Sequence, residues 1–249
     1  MRIDYFVKIC LSLFSVIINQ NRRSKVLYLH DIHKETCYAK HNHSMPISKF
    51  IDLIKIVNEN GFSIVSEITE STNQIRLCFD DGYRGIWDCH NDLVSYGIFP
   101  TLFVATSLIG KDGYLSNNEI VELSRLGFSI QSHTVSHYPL TGMSINQLKK
   151  ELSGSKEYLG SLLHKEIDEL CLPLGYYNDC VLLHALKEYK RVFLSVPGSF
   201  YDELDKGIVL RVLVQEMSPL SLKYALFGGQ DIFRSRIRNQ HYHNLECPK

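Results

Sequence analysis

Four residues offer the first chemistry in this sequence. In IRLCFDDGYRG, residues 75–85, a run that reads as a strand ends in two adjacent carboxylates, Asp80 and Asp81, and Gly82 permits an immediate turn. Further along, a second apolar run leads into SHTVSH, with His133 and His137 four apart. Two imidazoles and one carboxylate form a ligand set for a borderline divalent ion and leave positions open for water and substrate. Neighbouring side chains on an extended strand face opposite ways, so Asp80 and Asp81 can share a site only if the chain turns there. Two buried carboxylates also need a shared metal, a shared proton or access to solvent. The plain alternatives are a solvated DDG turn and, among 11 His, a chance HxxxH. Both motifs stand at the ends of apolar strands, which favours a metal-assisted hydrolase.

Other strand ends are candidates for the same site. His30 and Asp31 close the run KVLYLHDI; the His is a candidate general acid or ligand, and Asp31 a group that could orient its ring, against the plain reading of a structural pair. Pro173, Leu174 and Gly175 close ELCLPLG, where the Leu174 N–H is a candidate oxyanion donor. Tyr176 and Tyr177 could line a groove that stacks on sugar faces, although 14 Tyr make aromatic residues common here. His241 and His243, in the tail run HYHN, are too isolated to nominate, and Trp87 and His90 read as helix packing and surface. No GxGxxG, P-loop or GxSxG occurs, so no motif supports nucleotide binding or serine hydrolysis.

The elements that would position these residues alternate between short β-rich runs and longer helical ones. Strands are expected at 25–32, 62–65, 75–79, 100–106, 128–133, 169–175, 191–198 and 208–214. Helices are expected at 47–60, with Ser48 as a candidate N-cap, at 85–96, between Ser116 and Gly127 with Glu119 completing a capping box, from Ser144 to about 163, at 179–189 and around 218–227. Strands alternating with helices imply a mostly parallel sheet. About seven βα units in a chain of 249 residues favour a barrel over an open sheet, with the chemistry at the C-terminal ends of the strands.

Bulk properties narrow the partners. Lys plus Arg and Asp plus Glu both number 27, so the formal charge is zero and nothing points to nucleic acid. Seven Cys, an odd number with no CxxC spacing, suggest free thiols in a reducing compartment. At the N-terminus, Phe6, Ile9, Cys10, Leu13, Phe14 and Ile17 recur at helical spacing. That segment is too short to span a bilayer and carries no small-x-small cleavage site, so an amphipathic helix over 1–24 is expected, with weak peripheral membrane contact as the minority reading. The expected location is cytoplasmic or membrane-peripheral, with export as the alternative. The chain divides into that extension, a barrel over 25–215 and a tail over 216–249.

Taken together, FDDG at 79–82, SHTVSH at 132–137 and LCLPLGYYN at 170–178 resemble the three motifs of the polysaccharide deacetylase family, also called NodB-homology or carbohydrate esterase family 4. The likeness covers residues 25–215 and is greatest to the biofilm and cell-surface branch. It implies an α/β fold: a single-domain distorted (β/α) barrel of about seven parallel strands. It further implies Asp80 as general base, Asp81, His133 and His137 as metal ligands, Leu174 as oxyanion donor and, through the YHD-like LHDI, His30 as general acid. Asp31, Pro173, Gly175, Tyr176, Tyr177 and Arg211 become candidate substrate contacts, with Arg211 alternatively orienting Asp80. The implied metal is zinc, with cobalt, nickel or iron as alternatives. The implied reaction is de-N-acetylation of an N-acetylhexosamine unit in a polysaccharide or its precursor. This chain departs from the pattern in four places, of which two are Cys78, where Thr is usual in the first motif, and Leu174, where an aromatic residue is usual after the third-motif proline. The arginine usual before the third-motif proline is missing, with Cys171 and Leu172 in its neighbourhood, and no late Leu-x-His motif occurs. The alternatives are an inactive carbohydrate-binding relative, or a metal hydrolase of another amide or ester.

Overall fold

The computed structural model describes residues 21–35 and 42–243. The helix expected over 1–24 falls almost wholly outside these residues. Ten strands are described: β1 (Lys25–Leu29), β2 (Asp31–His33), β3 (Ser44–Pro46), β4 (Ser63–Val65), β5 (Gln74–Phe79), β6 (Thr101–Val104), β7 (Ser129–Ser132), β8 (Glu169–Cys171), β9 (Arg191–Leu194) and β10 (Ile208–Leu213). Seven of them close a ring, β1-β10-β9-β8-β7-β6-β5 and back to β1, parallel throughout. β5 carries β1 along one edge; on the other, β4 pairs at its start and β6 at its end. β2 and β3 form a separate short parallel pair. The molecule is thus a distorted (β/α) barrel, as the alternation of elements implies.

Seven helices are described: α1 (Ile47–Glu59), α2 (Gly85–Ser95), α3 (Asn117–Leu126), α4 (Ile145–Leu163), α5 (Asp179–Glu188), α6 (Pro219–Leu226) and α7 (Arg234–His241). The capping box at α3 is present, since Ser116 Oγ accepts from Glu119 N–H and Glu119 returns a carboxylate to Ser116 N–H, and Gly127 closes the helix at φ 107°. A second box, Ser144 with Gln147, opens α4. Ser48 does not cap α1. The helix begins at Ile47, directly after Pro46, so Ser48 lies inside the first turn and gives its N–H to Glu35 Oε1 at 2.8 Å. LPLG is not strand: β8 stops at Cys171 and Pro173–Gly175 form a 3₁₀ turn, because proline offers no ladder donor. The tail holds α7 as well as the single helix expected there. α7 has no buried residue, so it leaves no apolar stripe to detect. No helix among the described residues is long and apolar enough to cross a membrane. Cys78, Cys89 and Cys171 are free and buried, but Cys180 is disulfide-bonded, against the expectation of free thiols. Cysteine spacing alone carries no pairing information.

Strand parity divides the core in two. Leu27, Leu29, Leu77, Phe79, Leu102, Ile130, Leu170, Val192 and Leu210 face outward and pack under the helices. Val26, Tyr28, Cys78, Phe103, Cys171, Phe193 and Val209 fill the barrel interior. With both faces buried, the strands read as continuous apolar runs. The interior register also carries charge. At the bottom, Arg76 meets Glu169 through two bonds, Nη1–Oε1 at 2.9 Å and Nη2–Oε2 at 2.5 Å, while Thr101 Oγ1 accepts from the same guanidinium. Both side chains are 2 % exposed. Removing Glu169 would leave the buried Arg76 guanidinium with only the partly exposed Glu67 carboxylate, at 3.2 Å, as counter-charge. Glu169→Leu is therefore expected to lower the urea-unfolding free energy by about 3–5 kcal/mol, and a loss under about 1 kcal/mol would contradict this role.

Asp31, on β2, is buried against the first turn of α2. A β-carbon at Gly85 would lie 2.2 Å from Asp31 Oδ1 and 1.9 Å from the Ile32 carbonyl, so only glycine allows this approach. Burial pushes the Asp31 carboxyl up to about 7, against hydrogen bonds from the Ser44 hydroxyl and the Ile32 and Gly85 amides. Between the ordinary carboxylate value and about 7, the folded chain keeps a proton that the unfolded chain has released, so stability falls as pH rises through that window. Urea midpoints measured from pH 4.5 to 7 should show this fall, roughly 1.4 kcal/mol per pH unit, and its loss in Asp31→Asn. An equal slope in the variant would contradict the assignment.

Candidate metal and catalytic site

Parity places the interior half of the site. Asp80 continues the phase of Arg76 and Cys78, His133 continues that of Gln131, and Arg211 follows Val209, so all three turn into the mouth of the barrel. Asp81 would face away on a regular strand. It does not, because the chain enters the left-handed region at Asp81 itself (φ 74°) and stays there at Gly82 (φ 79°). A non-glycine residue held there carries strain of order 1–3 kcal/mol and persists only where its surroundings fix it.

Two further left-handed residues, Thr134 (φ 66°) and His137 (φ 61°), fold the loop after β7 back on itself. Glu151 on α4 pins this loop by accepting from the N–H groups of Val135 (3.0 Å) and Ser136 (2.8 Å). His133 Nε2 and His137 Nε2 then lie 3.2 Å and 2.9 Å from the same Asp81 oxygen, Oδ1. Burial works to raise the Asp81 pKa, but hydrogen bonds to both imidazoles outweigh it and hold the group well below the ordinary carboxylate range.

This donor set fits a divalent ion. His133 Nδ1–H donates to the Cys171 carbonyl at 2.7 Å, which commits that nitrogen and aims Nε2 at the Asp81 carboxylate. Nε2 and the Asp81 oxygen, 3.2 Å apart, need a positive charge between them, a place that a proton on the ring or a divalent ion can fill. Asp80, His133 and Cys171 form a second cluster of ligand-type atoms. It is the poorer set, because Arg211 Nη1 and Nη2 donate to the two Asp80 oxygens at 2.8 Å and 2.9 Å. Burial also raises the Cys171 thiol pKa, keeping it protonated.

Asp81, His133, His137, Asp80, His30 and Leu174 all line one pocket of about 310 Å³. His30 faces it from the end of β1. Gln215 Oε1 accepts from both His30 Nδ1 (2.9 Å) and the His30 backbone N–H (3.0 Å), which leaves Nε2 for exchange in the pocket. The orienting group is therefore Gln215 and not Asp31, whose carboxylate is buried away from the pocket. No local signal links Gln215 to His30, which lies 185 residues away.

Leu174 is left-handed (φ 57°) with its side chain turned out to solvent, and no backbone acceptor takes its N–H among the described residues. Gly175 lines the pocket beside it, while Pro173 is buried and shapes the turn without joining the lining. Tyr176 and Tyr177 do not form the expected groove. The 3₁₀ turn carries them past the pocket onto the C-terminal segment, where Tyr176 packs on His243 with ring centroids 4.3 Å apart and buried Tyr177 meets Tyr242 at 5.5 Å. Arg211 is not a substrate contact either. It is fully buried beneath Asp80, stacked 4.0 Å from the centroid of the Tyr28 ring. Burial works to raise the Asp80 pKa, and the Arg211 charge and hydrogen bonds outweigh it, so Asp80 stays ionised. From β10 the guanidinium reaches the Cys171 sulfur at 2.9 Å. Sequence reasoning also passed over further lining residues, among them Tyr28, His43, Tyr83, Ser195 and His241.

Comparison with known proteins agrees with this geometry. A polysaccharide deacetylase family model matches residues 67–192, just over half of the chain. YxkH of Bacillus subtilis (strain 168), named as a polysaccharide deacetylase, is 28% identical over 167 residues, which cover 62% of this chain and 60% of that protein. The chain thus spans about three fifths of the length of that relative. A polysaccharide deacetylase from Bacillus cereus shares the fold with a TM-score of 0.72 at 22% identity, over 82% of this chain and 69% of that one. The Streptococcus pyogenes deacetylase PplD, solved in complex with acetate, superposes with a TM-score of 0.70 at 24% identity, over 82% of this chain and 98% of its own. With the motif residues gathered at the mouth of a seven-stranded barrel and a family model matching just over half of the chain, the chain belongs to the polysaccharide deacetylase family.

Proposed function

We propose that the protein is a metal-dependent de-N-acetylase that hydrolyses the acetamido group of an N-acetylhexosamine unit in a polysaccharide or its precursor. The observation that carries this reading is the convergence in one pocket of Asp81, His133 and His137 with Asp80 and His30. Acetate held by PplD, a relative in fold, is the product such a reaction would release.

Asp81, His133 and His137 would hold the ion, zinc first, because two imidazoles and one carboxylate suit it. When bound there, the ion supplies Lewis acidity to the acyl carbonyl and to the attacking water. Asp80 accepts the proton of that water, its carboxylate kept ionised and correctly aimed by Arg211. The Leu174 N–H donates to the developing oxyanion. His30, oriented through Nδ1 by Gln215, delivers a proton from Nε2 to the departing amine.

The test is acetate release from N-acetylglucosamine oligomers by the zinc-loaded chain. Asp80→Asn and His30→Ala are each expected to lower kcat by roughly 100–10,000-fold while zinc content stays at the native level. Full turnover in Asp80→Asn would sink the base assignment, and in His30→Ala the acid assignment. Inert acetylated sugars beside a readily cleaved acyl ester would replace the amide substrate class.

A further inference from the structure

α7 is placed by polar contacts. Arg234 donates to the Pro197 carbonyl at 2.9 Å and pairs with Asp202 at 2.5 Å, and Arg238 pairs with Glu203. At the end of the helix the chain meets Tyr177. Tyr177 N–H donates to the His241 carbonyl (3.1 Å), and His243 N–H donates to the Tyr177 carbonyl (2.9 Å). Tyr177, just after the Leu174 turn, therefore clasps the backbone on both sides of Tyr242, directly after His241.

This clasp drives the His241 imidazole against Gly175. A β-carbon at Gly175 would stand 3.0 Å from both Nδ1 and Cε1 of that ring. His241, Gly175, Leu174 and Ser195 form a wall of the pocket that contains the metal-ligand set. Nδ1 of His241 is buried and has no hydrogen-bond partner among the described residues. Burial, with His243 nearby, lowers the pKa of the ring against the pull of the Ser195 carbonyl, so the imidazole is neutral at pH 7. A neutral imidazole is a poor proton donor to an amine but a good hydrogen-bond partner for a hydroxyl or amide. Leaving Nδ1 unpaired in a pocket wall has a cost that a polar ligand would remove.

We propose that His241 is a substrate-binding residue that hydrogen-bonds the acylated sugar beside the metal-ligand set. This rests on the deacetylase reading. It separates two pocket histidines by role: His30 transfers a proton, and His241 holds the sugar. It also assigns a function to a tail segment beyond the residues 67–192 matched by the family model.

The experiment compares the full zinc-loaded chain with His241→Ala and His241→Gln, using N-acetylglucosamine oligomers. Loss of one hydrogen bond predicts a KM roughly tenfold higher in His241→Ala, with kcat within threefold and zinc content unchanged. His241→Gln, which keeps a donor and an acceptor, should recover part of the loss. It carries the comparison alone if the alanine variant melts at a lower temperature. An unchanged KM in both variants overturns the proposal, as does a fall in kcat at constant KM, which would make His241 the acid. Parallel loss of zinc would assign it to the metal site and also overturn it. If the native chain releases no acetate, that failure belongs to the deacetylase reading, and calorimetric titration with the same oligomers takes over. Weaker binding by His241→Ala still supports the contact. Equal binding, or none by the native chain, overturns it.

Discussion

A guanidinium sealed inside a barrel requires a counter-charge, and Arg211 finds it in Asp80. The pair is bidentate and buried, with Tyr28 stacked on the guanidinium and the Cys171 thiol bridging the two partners at one side. Burying either charge alone would cost several kcal/mol. Together they fix the position of Asp80 and occupy both of its oxygens. The consequence reaches beyond the pair, because a carboxylate committed in this way is a weak competitor for a metal ion. The neighbouring carboxylate, Asp81, is left to meet the histidines.

The division of labour between two adjacent aspartates is therefore a product of backbone geometry. Strand parity sends Asp80 into the barrel with Cys78 and Arg76. The left-handed conformation at Asp81 turns the next carboxylate toward His133 and His137. Similar turns at Thr134 and His137 bring the second imidazole back toward the first. Non-glycine residues seldom occupy this region, and their clustering around one pocket marks where packing and hydrogen bonds enforce a functional geometry.

Much of this was legible in the sequence. The alternation of apolar runs with capped helices gives the barrel, and Ser116, Glu119 and Gly127 behave as their types require. DDG and SHTVSH stand at strand ends, which is where barrel chemistry gathers. What could not be read depends on contacts between distant elements. Arg211 crosses from β10 to Asp80, just past the end of β5, and Gln215 reaches back to His30; neither link has a periodicity or a local spacing. LPLG looked like strand because its residues are apolar, but a proline and a left-handed leucine make it a turn. That turn takes Tyr176 and Tyr177 away from the pocket. α7 escaped notice because ion pairs and a backbone clasp hold it, and these leave no apolar pattern.

The central claim is that the ion sits on Asp81 while Arg211 withholds Asp80. Anomalous diffraction from crystals of the zinc-loaded protein, measured at the zinc edge, tests it most directly. The account predicts a single strong peak about 2.0–2.2 Å from Nε2 of His133, Nε2 of His137 and an Asp81 oxygen, with Asp80 still paired to Arg211. A peak lodged instead among Asp80, His133 and Cys171, with the Arg211 pair broken, would contradict it.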